Sequence, residues 1–200
     1  MPDAALTRER ILEAAEDVLR RFGPAKANVV DVARALGVSH GSVYRHFPSK
    51  ASLRDAVTER WLARIAEPLE AIAAEDGSAA ARLTRWLDAL VAAKQRWARE
   101  EPELFATYVG LTAESREVVR AHVEHLTGQL ARIIADGVTS GEFRLVDPVV
   151  AGRAVFSATS RFHNPVHLAE WADPSLDAAY QGVRSLVLAG VAAHSATEQS

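Results

Sequence analysis

The stretch Asn28–Lys50, NVVDVARALGVSHGSVYRHFPSK, limits what this chain can fold into more than any other segment. Asn28 is a helix-capping residue. Asp31 stands at the third helical position, where an acid suits the positive end of the helix dipole. Val29, Val32, Ala33 and Leu36 give this short helix one apolar face. Gly37 ends it, because glycine accepts the left-handed conformation of a helix C-terminus. Val38 fills the turn, Ser39 caps a third helix of about two turns, Pro48 breaks that helix, and Ser49 caps a long fourth one. The spacing therefore predicts a helix, a tight turn and a second, stubby helix.

The remainder also reads as helical. Ala, Leu, Arg and Glu dominate, and no alternating β-branched run appears. A first helix is expected over 7–22, capped by Thr7 and stopped by Gly23-Pro24, with Ile11, Ala14, Ala15, Val18, Leu19 and Phe22 as its apolar stripe. The fourth helix is expected over 49–67, with Pro68 kinking or ending it. Further helices are expected at about 79–99, 102–111, 114–136, 148–162 and 174–194. Asp147-Pro148 and Asp173-Pro174 each pair an acidic cap with a first-turn proline. Asp136-Gly137 and Ser140-Gly141 mark a turn. The fold class is all-α: a three-helix head containing a helix-turn-helix over 1–50, then a larger helical part over 51–200, with helix 49–67 connecting them.

Composition narrows the chemistry. The 200 residues include no cysteine, which excludes disulfides, cysteine-ligated metals and a thiol nucleophile. The longest apolar run, Leu186 to Ala193, is far short of the ~20 residues that span a bilayer, and MPDAALTRER has no apolar stretch of a signal peptide. A soluble cytoplasmic protein with no membrane partner is the expectation. Net charge is -3, but unevenly spread. Residues 1–60 hold 10 Lys/Arg against 8 Asp/Glu, residues 61–200 hold 13 against 18, and 22–50 hold Lys26, Arg34, Arg45 and Lys50 against Asp31 alone. A basic head on an acidic body is an electrostatic footprint for nucleic acid.

The third helix has two unlike faces. Val43 and Phe47, four apart, point inward; His40 and Tyr44, also four apart, point outward beside Gly41 and Arg45. A polar, aromatic and cationic face, with one glycine that lets backbone come close, suits a helix lying in a DNA major groove. Ser39 leaves the positive helix end open to a phosphate. Lys50 opens the next helix, where a cation does not help the helix itself but would meet a phosphate.

The segment VARALGVSHGSVYRHFPSKASL resembles the DNA-binding signature of the TetR family of bacterial transcriptional regulators. Val32, Ala33, Leu36, Gly37, Val38, Ser39, Gly41, Ser42, Val43, Tyr44, His46, Phe47, Lys50 and Leu53 match in order and spacing, and Ile11, Ala14, Ala15, Leu19, Phe22 and Gly23 fit the first helix. The resemblance covers about residues 7–62. It implies that His40 and Gly41 touch base edges, that Tyr44, His46 and Lys50 hold phosphates, and that Asn28 caps the second helix and contacts backbone. Ser39, Ser42 and Arg45 complete the expected DNA-contact set. Val30 departs from members with a polar residue there, which removes a base contact from that position.

The family implies that the remaining helices sense a ligand and dimerise. Small residues recur at helical spacing near the C-terminus. Ala178, Gly182, Ser185, Leu186, Ala189, Gly190 and Ala193 are the expected dimer face, with helices 148–162 and 174–194 from two subunits in contact; the alternative is an intramolecular core helix. Trp86, Trp97, Phe105, Tyr108, Phe156 and Phe162 are the candidate lining of an apolar ligand cavity, or else plain core. Arg96 and Arg153 are the cations an acidic ligand would meet, or simply exposed. His122/His125 and His163/His167 have metal-sharing spacings, but Pro165 interrupts the second pair and no carboxylate completes a signature, so neither metal nor cofactor is expected.

The expected function is a non-enzymatic, homodimeric DNA-binding regulator. It would act as a repressor on a near-palindromic double-stranded operator and be released by a small-molecule effector. The alternatives are a DNA-binding regulator without an inducer, and a helical enzyme or metal-binding protein. The common motifs for nucleophilic serine, phosphate loops, zinc proteolysis and dinucleotides are absent.

Overall fold

In a computed structural model, residues 6–23 and 28–193 are described. Pro24 and Lys26, used above as a stop signal and a counted cation, lie outside the described residues. The helices are α1 (Arg8–Phe22), α2 (Val29–Leu36), α3 (His40–Tyr44), α4 (Lys50–Ala73), α5 (Ala79–Glu100), α6 (Pro102–Glu114), α7 (Arg116–Ser140), α8 (Pro148–Ala158), α9 (Ser160–His163) and α10 (Leu176–Val191), with a 3-10 turn over Pro165–Glu170. Among the described residues the only β pairing is an isolated bridge between Phe143 and Ala192.

The chain divides into two compact units, Met1–Ala63 with Trp97–His122, and Arg64–Arg96 with Val123–Ser200. The first unit carries α1–α3 on a core that includes Ile11, Leu12, Leu19, Val32, Val43 and Phe47, all buried. Arg60 of α4 draws together three acids of α1: it pairs with Glu9, lies 2.9 Å from Glu16 and reaches Glu13 at 4.0 Å. Arg54 binds Glu114 at 2.6 Å, and the Ser115 hydroxyl donates to Asp55 at 2.6 Å.

The second unit is built on Leu83, Trp86, Leu87 and Leu90 of α5 against Leu126, Leu130, Ile133 and Ile134 of α7. Gln129, a long polar side chain at its centre, is satisfied: it accepts from Trp86 Nε1 at 2.8 Å and donates to the Ala66 carbonyl at 3.2 Å. Glu142 closes the start of α5. Its carboxylate accepts from the Ala79 and Ala80 amides and the Ser78 hydroxyl, which holds its pKa down to about 2.

Several helix ends differ from the sequence expectation. The third helix is five residues long, not two full turns. α4 runs through Pro68 to Ala73. Pro68 is exposed while Leu69 and Ala73 are buried, so the missing amide faces water and burial carries the helix onward. α7 passes through Asp136-Gly137, because Gly137 is a seat for the Phe143 ring, not a turn; the turn comes at Gly141. The helix expected over 148–162 breaks at Thr159 (φ −95°, ψ 0°). Asp173 caps a short turn by accepting from the Ser175 amide, so the last helix starts at Leu176.

Candidate nucleic-acid interface

The interface is assembled by local chemistry. Asn28 Oδ1 accepts from the amides of Val30 and Asp31 at 2.9 and 3.0 Å and starts α2. Gly37 ends it at φ +67°, ψ 27°, a conformation that strains any residue with a Cβ. Ser39 Oγ accepts from the Ser42 amide at 3.2 Å and starts α3. Ser49 and Ser52 cap one another reciprocally at 3.0 Å, each hydroxyl taking the other's amide, and place Lys50 at the first residue of α4.

Packing then orients α3. Val43 and Phe47 are fully buried. The Arg8 guanidinium lies 4.3 Å from the centroid of the Phe47 ring and donates to the His46 carbonyl at 3.4 Å, holding α1 to the end of the motif. With that side turned in, Tyr44 is 43% exposed, and His40, Gly41, Arg45, Ser39 and Lys50 are exposed beside it. Ser42 and His46 are half-buried. Ser42 Oγ lies 2.9 Å from Ser39 Oγ and accepts from Arg45 at 3.3 Å, a chain of hydroxyls that bends Arg45 back along the helix. Of the nine residues expected at DNA, Ser39, His40, Gly41, Tyr44, Arg45 and Lys50 are exposed, and Asn28, Ser42 and His46 are half-buried. Such a surface offers donors to phosphates and to base edges.

The profile described as "Bacterial regulatory proteins, tetR family" matches residues 11–57. A second, "Tetracyclin repressor-like, C-terminal domain", matches residues 79–184, more than half of the chain. The chain belongs to the TetR family. Among TetR relatives, UidR of Escherichia coli, an HTH-type transcriptional regulator, is 38% identical over 74 residues, which are 35% of this chain and 38% of UidR. TtgR of Pseudomonas putida, likewise an HTH-type transcriptional regulator, is 39% identical over 57 residues, 28% of this chain and 27% of TtgR. The match therefore spans well under two thirds of either relative. The fold of SmeT, the repressor of the Stenotrophomonas maltophilia multidrug efflux pump SmeDEF, superposes with a TM-score of 0.69 at 21% identity, covering 95% of this chain and 92% of SmeT. SmeT has also been solved with triclosan.

The other expected residues are distributed as follows. Ala178, Gly182, Ser185, Leu186, Ala189, Gly190 and Ala193 are all exposed, Leu186 by 75%. Val149 and Val150 of α8 are exposed too, and an apolar groove of about 450 Å³ runs between α8 and α10, bounded by Val150, Ala154, Val187 and Gly190. The six aromatics do not form one group. Trp97, Phe105 and Tyr108 touch one another in the first unit, Trp97 edge-on to Phe105 and tilted against Tyr108, and Trp61 adds a second edge-on contact to Trp97 at 6.0 Å. In the second unit Trp86 is committed to Gln129, Phe162 packs on Tyr180, and Phe156 stacks on His163 at 4.7 Å. Arg96 and Arg153 are exposed. Among the described residues no three His, Asp or Glu side chains gather as a metal site.

Sequence reading missed Lys94. It is buried on α5, and its position could have shown this: Leu83, Leu87, Leu90 and Lys94 fall on one helical stripe. Burial pulls the Lys94 amine down to about 7. Burial, and then the repulsion of Lys94 and His167, pulls His163 down to about 4. An unfolded imidazole titrates near 6.5, so between pH 6.5 and 4 the unfolded chain binds the proton that the folded chain refuses. Stability from His163 is complete above pH 6.5 and is lost as pH falls through 4, roughly 3 kcal/mol in all. Unfolding midpoints measured across that window should decline in the parent and stay flatter in His163→Gln; parallel curves would remove the assignment.

Proposed function

We propose that the protein is a homodimeric, sequence-specific DNA-binding regulator, and that it represses from a near-palindromic operator until a small molecule binds in the 51–200 part. The observation that carries this reading is the division of α3, with Val43 buried on one side and His40, Tyr44 and Arg45 exposed on the other. Two copies would set their α3 helices in successive major grooves ~34–36 Å apart. The exposed small residues of α10, continuous with Val149 and Val150 of α8, support pairing through that face, since close helix approach needs small side chains. The family membership, and the small molecule bound to SmeT, support an effector; release from DNA requires that it bind the two conformations with unequal affinity. α4, which starts at Lys50 and reaches Ala73, is the proposed lever. No helix among the described residues is long and apolar enough to cross a membrane, which accords with action in the cytoplasm.

Selection of genomic fragments by the purified protein, followed by sequencing, tests the reading; recovery of no enriched site at low salt refutes it. On the recovered site, Lys50→Ala should weaken binding to all sequences alike and reduce the salt slope by about 1, one phosphate contact's worth. His40→Ala should cost ~1–3 kcal/mol and relax preference at one base pair per half-site. If the two variants behave identically, the division of labour between them is wrong.

A further inference from the structure

We infer that Arg45 reads a guanine in each half of the DNA site, and that Ser42 is the positioning residue that aims it. The inference rests on the DNA-binding reading above and assigns, within it, the base that one side chain selects.

Arg45 differs from Arg20, Arg34 and Arg54 in what holds it. Those three are tied to carboxylates: Arg20 to Asp17 at 3.1 Å, Arg34 to Asp31 at 2.8 Å and Arg54 to Glu114 at 2.6 Å. Among the described residues, the hydrogen-bond partner of the Arg45 guanidinium is a hydroxyl, Ser42 Oγ, which accepts from Nη2 at 3.3 Å. A hydroxyl offsets no charge, so Arg45 keeps its full positive charge on the exposed side of α3. A guanidinium has five N–H donors in a rigid plane. Four of them form two edges of two parallel donors each, and Nη2 gives one proton to each edge. Whichever of its protons goes to Ser42, one complete two-donor edge remains.

Three features set where that edge lies. Helical side chains lean toward the helix start, so Arg45 reaches back over Ser42 and Gly41, the residues three and four before it. Ser42 holds it there and is itself fixed: its hydroxyl lies 2.9 Å from that of Ser39, which accepts the Ser42 amide at 3.2 Å. Gly41 leaves room. Apart from its chain neighbours, a Cβ at Gly41 would find its nearest side chain, Ser39 Oγ, at 3.8 Å, so the place beneath the Arg45 fork is open to a base pair. The start of a recognition helix is also the part that meets base edges. Two parallel donors need two acceptors side by side. In the major groove guanine presents such a pair, N7 and O6, whereas adenine sets an acceptor beside a donor, thymine an acceptor beside a methyl group, and cytosine a donor. A phosphate also accepts a two-donor fork, but the backward lean over Gly41 favours the base edge, and a phosphate contact would carry no preference for one base.

The test uses the full chain and an operator recovered by selection from genomic fragments, with each base pair of a half-site changed in turn and affinity read by fluorescence anisotropy. The parent should prefer guanine over the other bases by about tenfold at one position per half-site. Arg45→Ala should reduce that ratio to about threefold or less and leave the preferences at the other positions as they were. Arg45→Gln should favour adenine at the same position, because a carboxamide matches adenine N6 and N7. Ser42→Ala should reduce the guanine preference at that position alone, and Ser42→Thr, which keeps the hydroxyl, should restore it. Arg45 is exposed, so its variants should unfold at the parent's temperature, which separates lost reading from lost structure. An equal loss on all sequences in Arg45→Ala places the guanidinium on a phosphate; that result, or an unchanged guanine preference in Arg45→Ala, overturns the inference and leaves the regulatory reading standing. A loss in Ser42→Ala that is equal at every position overturns the role given to Ser42. Recovery of no enriched site overturns both readings together.

Discussion

Phe47→Ala should abolish DNA retention and destabilise the first unit by roughly 3–5 kcal/mol. The ring is fully buried at the end of the motif, its amide bonds to the Val43 carbonyl at 3.0 Å, and the Arg8 guanidinium rests on its face. Truncation removes the surface that Arg8 covers and opens a void in a core with few members, so α3 loses the contact that turns Tyr44 and His40 outward. Denaturant unfolding followed by circular dichroism gives the stability term, and a fluorescence-anisotropy titration on the selected operator gives the function. Phe47→Leu, which keeps most of the volume, should recover most of both. Unchanged operator affinity in Phe47→Ala would mean that the outward face of α3 is held by something other than this ring.

Gly152→Val should be the most disruptive change in the second unit. A Cβ at Gly152 would stand 3.0 Å from the Ala131 amide nitrogen and 3.0 Å from the Thr127 carbonyl oxygen, both backbone atoms of α7. Neither can rotate away, so α8 must move off α7, at a cost of about 3 kcal/mol or more. Gly152→Ala should cost less and in the same direction. Because α8 also carries Val149 and Val150 at the face proposed for pairing, sedimentation should show the valine variant shifting toward monomer at concentrations where the parent pairs. A valine variant with the parent's midpoint and mass would contradict the close approach of the two helices.

What could be read in the amino-acid order is what local chemistry decides. Thr7, Asn28, Ser39 and Asp147 all cap helices through their side chains, and each cap needs only the two or three residues that follow. Gly37 and the inward pair Val43 and Phe47 were equally legible, because turn handedness and helical spacing are short-range properties. The misreadings at Pro68 and Gly137 have a common origin in packing beyond the neighbouring residues. Pro68 looked like a stop until Leu69 and Ala73 proved to be buried. Gly137 looked like a turn until Phe143, six residues on, occupied the space beside it. The aromatics carry no mark of which unit they join: Trp86 and Trp97 lie on one helix but belong to different cores. Lys94 went unnoticed because a lysine is expected in water, although its place on the Leu83–Leu90 stripe showed otherwise.

The caps that set the three helix starts around α3 and Lys50 are amide and hydroxyl groups of Asn28, Ser39, Ser49 and Ser52, without a formal charge among them. Mobile ions in the medium therefore compete for the nucleic-acid phosphates but have little hold on the caps that start α2, α3 and α4. In concentrated brine the reading surface should let go of its target while keeping its shape, and return to work as soon as the brine is diluted.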